Sequence, residues 1–414
     1  WQQAIMSNLF GWKRPDGTRR YREAFILVPR KNGKALAVDT PIPTPDGWKN
    51  MGDIEEGDIV FDETGSKVSV IYAHPIVTGH NCYRVCFSDG TSIVADEDHL
   101  WSTERRRTGR PVGGMGSGIK LPKIQVCTTK MIAETLNVES PSARPVERNH
   151  RIAVPGAIQC DPKQLLIDPY VLGVWLGDGN SSSATLTFGA SDYEILEHLN
   201  ACGLSLSNMR KEANSNAFRV HLGGTKNSGI CTRGHDKKTQ KSKTGKCLVC
   251  ERSIDSCKRK GLPYPEETHK SMQRILREMG LINNKHIPSE YLRGSIEQRT
   301  ALMQGLMDTD GFVSPVGRCE FTIVNEKLSD GFLELARSLG QKPTVLNYRA
   351  TIYGKDCGPK YRISFNTLHG LVPFRLKRKA ALVRNVGYSG RSGTRQIIAV
   401  DPVPSVPVRC IQVN

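Results

Sequence analysis

Two nine-residue stretches of this chain end in the same acidic signature, Asp-Gly. They are Val171-Leu172-Gly173-Val174-Trp175-Leu176-Gly177-Asp178-Gly179 and Met303-Gln304-Gly305-Leu306-Met307-Asp308-Thr309-Asp310-Gly311. In each, small residues four apart (Gly173 and Gly177, Gly305 and Thr309) mark a helix face that a second helix can approach closely. The closing glycines, Gly179 and Gly311, predict helix ends. Asp178 and Asp310 then sit at helix C-termini, where the macrodipole disfavours a carboxylate. A sequence that breaks this rule twice, at equivalent places, points to function. Two carboxylates meeting at a helix junction can hold divalent cations, Mg2+ foremost, against scissile phosphates. The plainer alternative is a pair of buried helices with solvated Asp-Gly ends.

A second set of side chains has the spacing of a metal site. Cys231 and His235 are separated by three residues, Cys247 and Cys250 by two, and eleven residues lie between the pairs. Two close pairs of soft ligands suit tetrahedral zinc, which would supply folding energy that so few apolar residues cannot. From Cys231 to Gly261 ten Lys and Arg face three Asp and Glu, a basic module suited to a phosphate backbone. A disordered basic loop with unligated thiols is the alternative. A third set is fragmentary. Gly33 and Lys34 follow the apolar run Phe25-Ile26-Leu27-Val28, as in a phosphate-binding loop for ATP, but Ala35 stands where a Ser or Thr should ligate magnesium.

The elements that must position these residues change character along the chain. Residues 35–160 run in short alternating stretches such as GDIVF and CYRVCF, the texture of an all-β domain with many turns. From 161 to 394 helical and strand segments mix, the texture of 166–225 returns after 263, and the Lys-rich stretch 228–262 interrupts the repeat. The glycines Gly179 and Gly311 are 132 residues apart, a spacing that an insertion of roughly 35 residues lengthens. Residues 395–414 return to short β runs. The expected architecture is a β domain interrupted by an α+β domain. With 58 Lys and Arg against 41 Asp and Glu, the net charge of +17 favours a polyanionic partner, nucleic acid above all. No apolar run is long enough to span a bilayer, and the first residues lack a signal peptide. The twelve cysteines are therefore read as reduced thiols in a cytoplasm.

Three resemblances sharpen these expectations. The two Asp-Gly stretches resemble the LAGLIDADG (DOD-type) motif of homing endonucleases. That implies two αββαββα repeats about a pseudo-twofold axis, a monomeric enzyme, double-stranded DNA as partner, and catalytic Asp178 and Asp310. Lys285, in Lys285-His286-Ile287-Pro288, resembles a lysine-bearing block of intein endonucleases. Lys360, on a strand of the second repeat, is the other lysine expected to stabilise phosphate charge, or else to meet the DNA backbone.

The stretch from Ala35 to Trp48, and then Ala95-Asp96-Glu97-Asp98-His99-Leu100-Trp101, resemble the opening and histidine-bearing blocks of inteins, with their horseshoe-shaped β (Hint) fold. Ala35 cannot attack the preceding carbonyl. A class of inteins without that nucleophile pairs a Trp two residues after the histidine with an internal Cys, and here Trp101 and Cys410 match. The resemblance implies Cys410 as nucleophile, His99 as proton donor to the departing nitrogen, and Trp101 packed nearby; imidazole suits the donor role near neutral pH. An engineered Cys-to-Ala change at residue 35 is the alternative. The closing His-Asn block of inteins is not matched at Asn414, so splicing is expected to be incomplete in these residues.

The segments WQQ, LFGW, DGTRR and RKNGK within 1–34 resemble a phage terminase large subunit ATPase, an N-terminal extein in cis. The whole then reads as residues 1–34 from the host, 35–160 and 395–414 as the splicing domain, and 161–394 as the endonuclease. It would sit in the cytoplasm of a phage-infected or lysogenic bacterium, target the intein-free terminase gene, and leave ATP to the spliced host. The rivals are a non-catalytic DNA-binding zinc protein, and a terminase ATPase with inactive insertions.

Overall fold

The computed structural model describes residues 35–105, 123–137, 148–213, 215–223, 247–260, 271–352, 355–384 and 393–414. Residues 1–34, with Gly33 and Lys34, and the residues Cys231 and His235 lie outside them. No described helix is long and apolar enough to cross a membrane.

The alternating runs form strands that bury one face, as period-2 patterning requires. In order, the largest sheet holds Val408–Arg409, Leu36–Ala37, Ser92–Asp96, Cys82–Phe87, Thr394–Val403, His150–Ala153, Leu100–Arg105 and Lys123–Thr128. Strand Thr394–Val403 thus lies between two strands some 240 to 320 residues earlier in the chain, and pairs with Cys82–Phe87 from Ile397↔Phe87 to Val403↔Cys82. A smaller sheet joins Ile411–Val413, Lys67–Ala73 and Ile59–Phe61. Its core gathers Ile54, Val60 and Val70, while Val85, Phe87, Ala95, Trp101, Ile132 and Ile397 fill the larger one.

Between these pieces stand two helices, α1 (Pro169–Asp178) and α2 (Ile296–Thr309). Asp168 caps α1 by accepting from the amides of Tyr170 and Val171, with Pro169 in the first turn, and Ser295 with Gln298 makes a capping box on α2. Both are buried on nearly every side, because they meet each other and a sheet on each flank.

The seam is backbone on backbone. A Cβ on Gly173 would come to 2.4 Å from Leu302 O, and one on Gly305 to 2.3 Å from Tyr170 O. Gly177 abuts Thr309 in the same way, at 2.0 Å from its Oγ1. Gly179 caps the end of α1 as its type predicts, with φ −69°, and a Cβ there would strike Trp175 O at 2.2 Å. Close packing, not turn conformation, demands glycine.

After α2 come strands Gly311–Val313 and Cys319–Ile323, a helix Glu326–Ser338, strands Thr344–Ile352 and Lys355–Phe365, and the short helix Lys377–Ala380, which is an αββαββα order. The half after α1 is a shortened copy. Its sheet holds Thr185–Gly189, Ala217–Leu222 and Leu206–Lys211, and only the isolated bridge Gly179↔Leu186 stands where the other half has a full strand pair.

Arg299, fully buried on α2, fastens the two parts of the molecule. Its guanidinium donates to Gly294 O, Ser338 O and Ser338 Oγ, and also to Ile158 O at the end of the β part. Beside it Arg293 donates to Thr44 O at 3.0 Å and pairs with Glu334 at 2.7 Å.

Candidate functional sites

At the C-terminal ends of α1 and α2 the two acidic residues come together. The Cβ position of Gly177, next to Asp178, lies 3.4 Å from Asp310 Oδ2. Burial pushes Asp178 up to about 6, with the Asp310 charge adding to it; burial also raises Asp310, while Lys285 and Lys379 pull it back. Two neighbouring carboxylates that burial raises, Asp178 further raised by the Asp310 charge, are a pair that a divalent cation would relieve, so the residues present fit Mg2+.

Each helix end also receives an ammonium. Lys285 Nζ donates to Leu176 O at 2.9 Å, Gly177 O at 3.0 Å and Gly179 O at 2.6 Å. Lys379 Nζ donates to Met307 O at 3.0 Å, Asp308 O at 2.7 Å and Gly311 O at 2.6 Å. Leu176 and Gly179 of one motif are the counterparts of Asp308 and Gly311 of the other, so the lysines are equivalent by the pseudo-twofold. A cation on the last carbonyls offsets the dipole that would otherwise repel each aspartate. Burial lowers both lysines, Lys285 to about 8.

Lys360, expected at this centre, is not the second lysine there. It sits on the sheet, opposite Tyr348 in register and 6.0 Å from that ring, with Arg362 over the same ring. Lys379 holds the place instead, and its pattern signal was hidden by the insertion. Lys285 follows Asp178 by 107 residues and Lys379 follows Asp310 by 69; the difference, 38, is close to the inserted stretch.

Lys379 is held by a further buried residue. Asp308 accepts from Tyr170 Oη at 2.9 Å and from the amides of Arg375 and Leu376 at 3.1 to 3.2 Å, anchoring the turn into Lys377–Ala380.

The second gathering lies at the edge of the large sheet. Leu36 pairs with Arg409 on one side and Ala95 on the other, so the register sets Ala35 beside Cys410 and Asp96. Ala35 and Cys410 share one apolar cluster with Cys82 and Val408. The Cys410 thiol is half-buried and donates to Ile411 O at 3.5 Å.

Asp96 N donates to Ala35 O at 3.0 Å, and Ala35 N donates to Asp96 Oδ1 at 3.1 Å. His99 follows in a turn closed by its amide on Asp96 O, and its ring meets Trp101 edge-on with centroids 4.9 Å apart. The Trp101 indole donates to Thr129 Oγ1 at 3.0 Å, and that hydroxyl donates to His99 O at 3.4 Å. Trp101 is thus a brace for the histidine turn. Asp96 and Thr129 escaped the sequence reading: the first lay inside an acidic block, the second 28 residues from its partner.

Of the zinc set, Cys247 is buried just before the helix Leu248–Lys260 and Cys250 half-buried in its first turn, neither in a disulfide. Among the described residues no three His, Cys, Asp or Glu side chains could together hold a metal. The other two proposed ligands lie outside them.

Comparison with known proteins gives likenesses for both parts. Residues 286–369 match the family model described as homing endonuclease. The chain is 34% identical over 402 residues to the replicative DNA helicase DnaB of Mycobacterium intracellulare, covering 95% of this chain and 58% of that protein, so it spans less than two thirds of that relative's length. It is 24% identical over 189 residues to the homothallic switching endonuclease of Saccharomyces cerevisiae, with 42% and 28% covered. Among solved structures, that of the MchDnaB-1 intein is 49% identical over 17% of this chain and 53% of that one, with a TM-score of 0.17.

Proposed function

We infer that the chain is an intein carrying a homing endonuclease domain, an enzyme twice over: it splices itself and it cuts DNA. The observation that carries the endonuclease is the doubled set of one aspartate and one lysine at each helix end, Asp178 with Lys285 and Asp310 with Lys379. The match of residues 286–369 to homing endonucleases supports it.

The motif is read as LAGLIDADG, the DNA as double-stranded, and each half as serving one strand. Mg2+ would be held by Asp178 and Asp310 and would polarise phosphate oxygens and generate the attacking hydroxide. The lysines hold the helix-end carbonyls, which fixes the aspartates relative to one another, and bring positive charge to the leaving oxygen. The exposed faces of the two sheets suit a duplex. One carries Asn180, Asn208, Arg210, Arg219 and His221 along a groove of about 450 Å³, and the other Lys360, Arg362 and Tyr348. Incubation with Mg2+ and a plasmid bearing the intein-free host gene tests this. Linear product is expected, and its absence from Asp178→Asn/Asp310→Asn protein is the control.

Splicing is carried by the register that sets Cys410 beside Ala35. Cys410 attacks the carbonyl of Lys34, His99 protonates the departing nitrogen, and Trp101 with Thr129 fixes the His99 turn. In the precursor extended through a terminal His-Asn block, cleavage after Lys34 should depend on Cys410.

We read the host as a phage terminase large subunit in a bacterial cytoplasm, on the segments of residues 1–34; the spliced product would regain a Ser or Thr after Lys34 and with it ATP binding. The helicase relatives favour a second host, a replicative helicase, which the codons downstream of the insertion decide. A structural zinc on Cys231, His235, Cys247 and Cys250 would hold the basic insertion; metal analysis finding less than one equivalent removes that reading.

A further inference from the structure

One buried ring nitrogen beside the splicing edge has no partner. Nε2 of His74 is shut off from water and meets no hydrogen-bond donor or acceptor among the described residues. Leaving a buried polar atom unpaired is costly, so its retention calls for an explanation. The residue is nonetheless firmly held. Its amide donates to Cys410 O at 3.0 Å, and the Arg409 guanidinium donates to its carbonyl at 2.7 Å. Pro75 keeps residue 74 extended, and the Tyr72 ring meets the imidazole edge-on with centroids 4.7 Å apart.

The register fixes what stands opposite that ring. Ile411 pairs with Ala73, so Cys410 comes opposite His74; Leu36 pairs with Arg409, so Cys410 also comes opposite Ala35. Residues directly opposite across an antiparallel pair project to the same face, with Cβ atoms about 5 Å apart. Cys410 therefore stands between the residue whose preceding carbonyl it attacks and an imidazole with an unused nitrogen. Its thiol donates to Ile411 O at 3.5 Å, a weak contact that one rotamer change exchanges for the ring.

We propose that His74 is a further catalytic residue of the cleavage after Lys34, the general base that takes the proton of Cys410. The proposal rests on the splicing reading. A thiol attacks as its thiolate, and an unassisted thiol is mostly protonated at neutral pH. His99 cannot receive that proton, because it must enter the step already protonated in order to give one to the departing nitrogen. His74 in its neutral form, with the ring proton on Nδ1, offers Nε2 as the acceptor. In the step Nε2 takes the proton from Cys410 Sγ, and the sulfur bonds to the carbonyl carbon of Lys34. The bond from that carbon to the nitrogen of Ala35 then breaks as His99 protonates the nitrogen. A thiol and an amide become a thioester and an amine, with no oxidant or reductant. His74 ends protonated and His99 neutral, and exchange with solvent resets both.

The test joins two readouts. In the chain itself iodoacetamide reports how nucleophilic the Cys410 thiol is. Trypsin cutting after Arg409 releases Cys410-Ile411-Gln412-Val413-Asn414, a peptide whose single cysteine carries the label. His74→Gln keeps a polar side chain of similar size and removes the base. It should slow labelling of that peptide roughly fivefold at pH 7. In the precursor extended through its terminal block, the same change should slow cleavage after Lys34 by about 100-fold, the lower end of what a general base supplies. His74→Gly should regain cleavage when imidazole is added, since the free ring can take the proton. Cleavage within twofold of wild type in His74→Gln overturns the proposal. So does slowed cleavage with Cys410 labelled at the wild-type rate or faster, which would make the ring structural, and so does His74→Gly that gains nothing from imidazole. Cys410→Ala separates the levels: if that precursor still cleaves after Lys34, the splicing reading itself fails and takes the proposal with it.

Discussion

The proposed DNA-cutting centre is built in duplicate, whereas the proposed splicing centre holds each part once. Asp178 and Asp310 stand in equivalent places, and Lys285 and Lys379 donate to equivalent carbonyls of α1 and α2. At the sheet edge there is one Cys410, one His99, one Trp101 and one Asp96, drawn from two strands, a turn and the link between two short strands. Duplication gives graded failure, because losing one part leaves the other half working. A centre in single copy fails all at once.

That contrast orders the expected effects. In the extended precursor Cys410→Ala should abolish cleavage after Lys34 outright, read on a denaturing gel; residual splicing would show that the edge is not a single-copy centre. The double variant Asp178→Asn/Asp310→Asn should abolish both strand cuts while leaving DNA affinity, measured by gel shift, within a few-fold. Each single aspartate variant should turn linear product into nicked circles; if either alone leaves full double-strand cleavage, the two-halves picture breaks. Lys379→Ala should slow one strand about 100-fold, and Lys360→Ala should change the rate by less than about threefold while weakening DNA binding most at low salt, with a shallower salt dependence. The reverse ranking would restore Lys360 to the centre.

The smallest effect is on stability. Because Asp178 is raised to about 6, the folded protein binds a proton between the ordinary carboxylate range and pH 6 that the unfolded chain does not. Metal-free stability should therefore rise as pH falls toward 5 and be lost as pH climbs through 6. Asp178→Asn should raise the melting temperature at pH 7.5 by a few degrees, and Mg2+ should cancel most of that difference. Cleavage, which needs the ionised carboxylate, should decline as pH falls through about 6.

How much of this could be read from the chain follows from the same contrast. The acidic helices were legible because they occur twice: small residues four apart and Asp-Gly ends are weak signals alone and strong ones repeated. Lys379 was not legible, since the inserted stretch breaks the spacing that would match it to Lys285, and Lys360 sits in a strand pattern that looks just as suitable. The return of the chain to the first sheet could be inferred from the texture of 395–414, and Cys410 from its block. Asp96 was passed over because Ala95-Asp96-Glu97-Asp98 reads as a solvated acidic turn; only the register Leu36↔Ala95 turns its side chain inward onto Ala35. Gly179 ends α1 as read, but its close packing was not legible, since a local sequence cannot show that Trp175 crowds its Cβ position.

The pairing of Leu36 with Arg409 has a consequence in time. A ribosome makes residue 36 some 373 residues before its strand partner, and a long loop must close before that contact rewards the chain. Through that interval the α1 and α2 bundle has its own core and can fold first. The proposed nucleophile, Cys410, thus arrives last at that edge. An unfinished polypeptide stalled anywhere in between lacks Cys410 at that edge, so on the proposed mechanism truncated translation products stay uncut and only complete chains release the host.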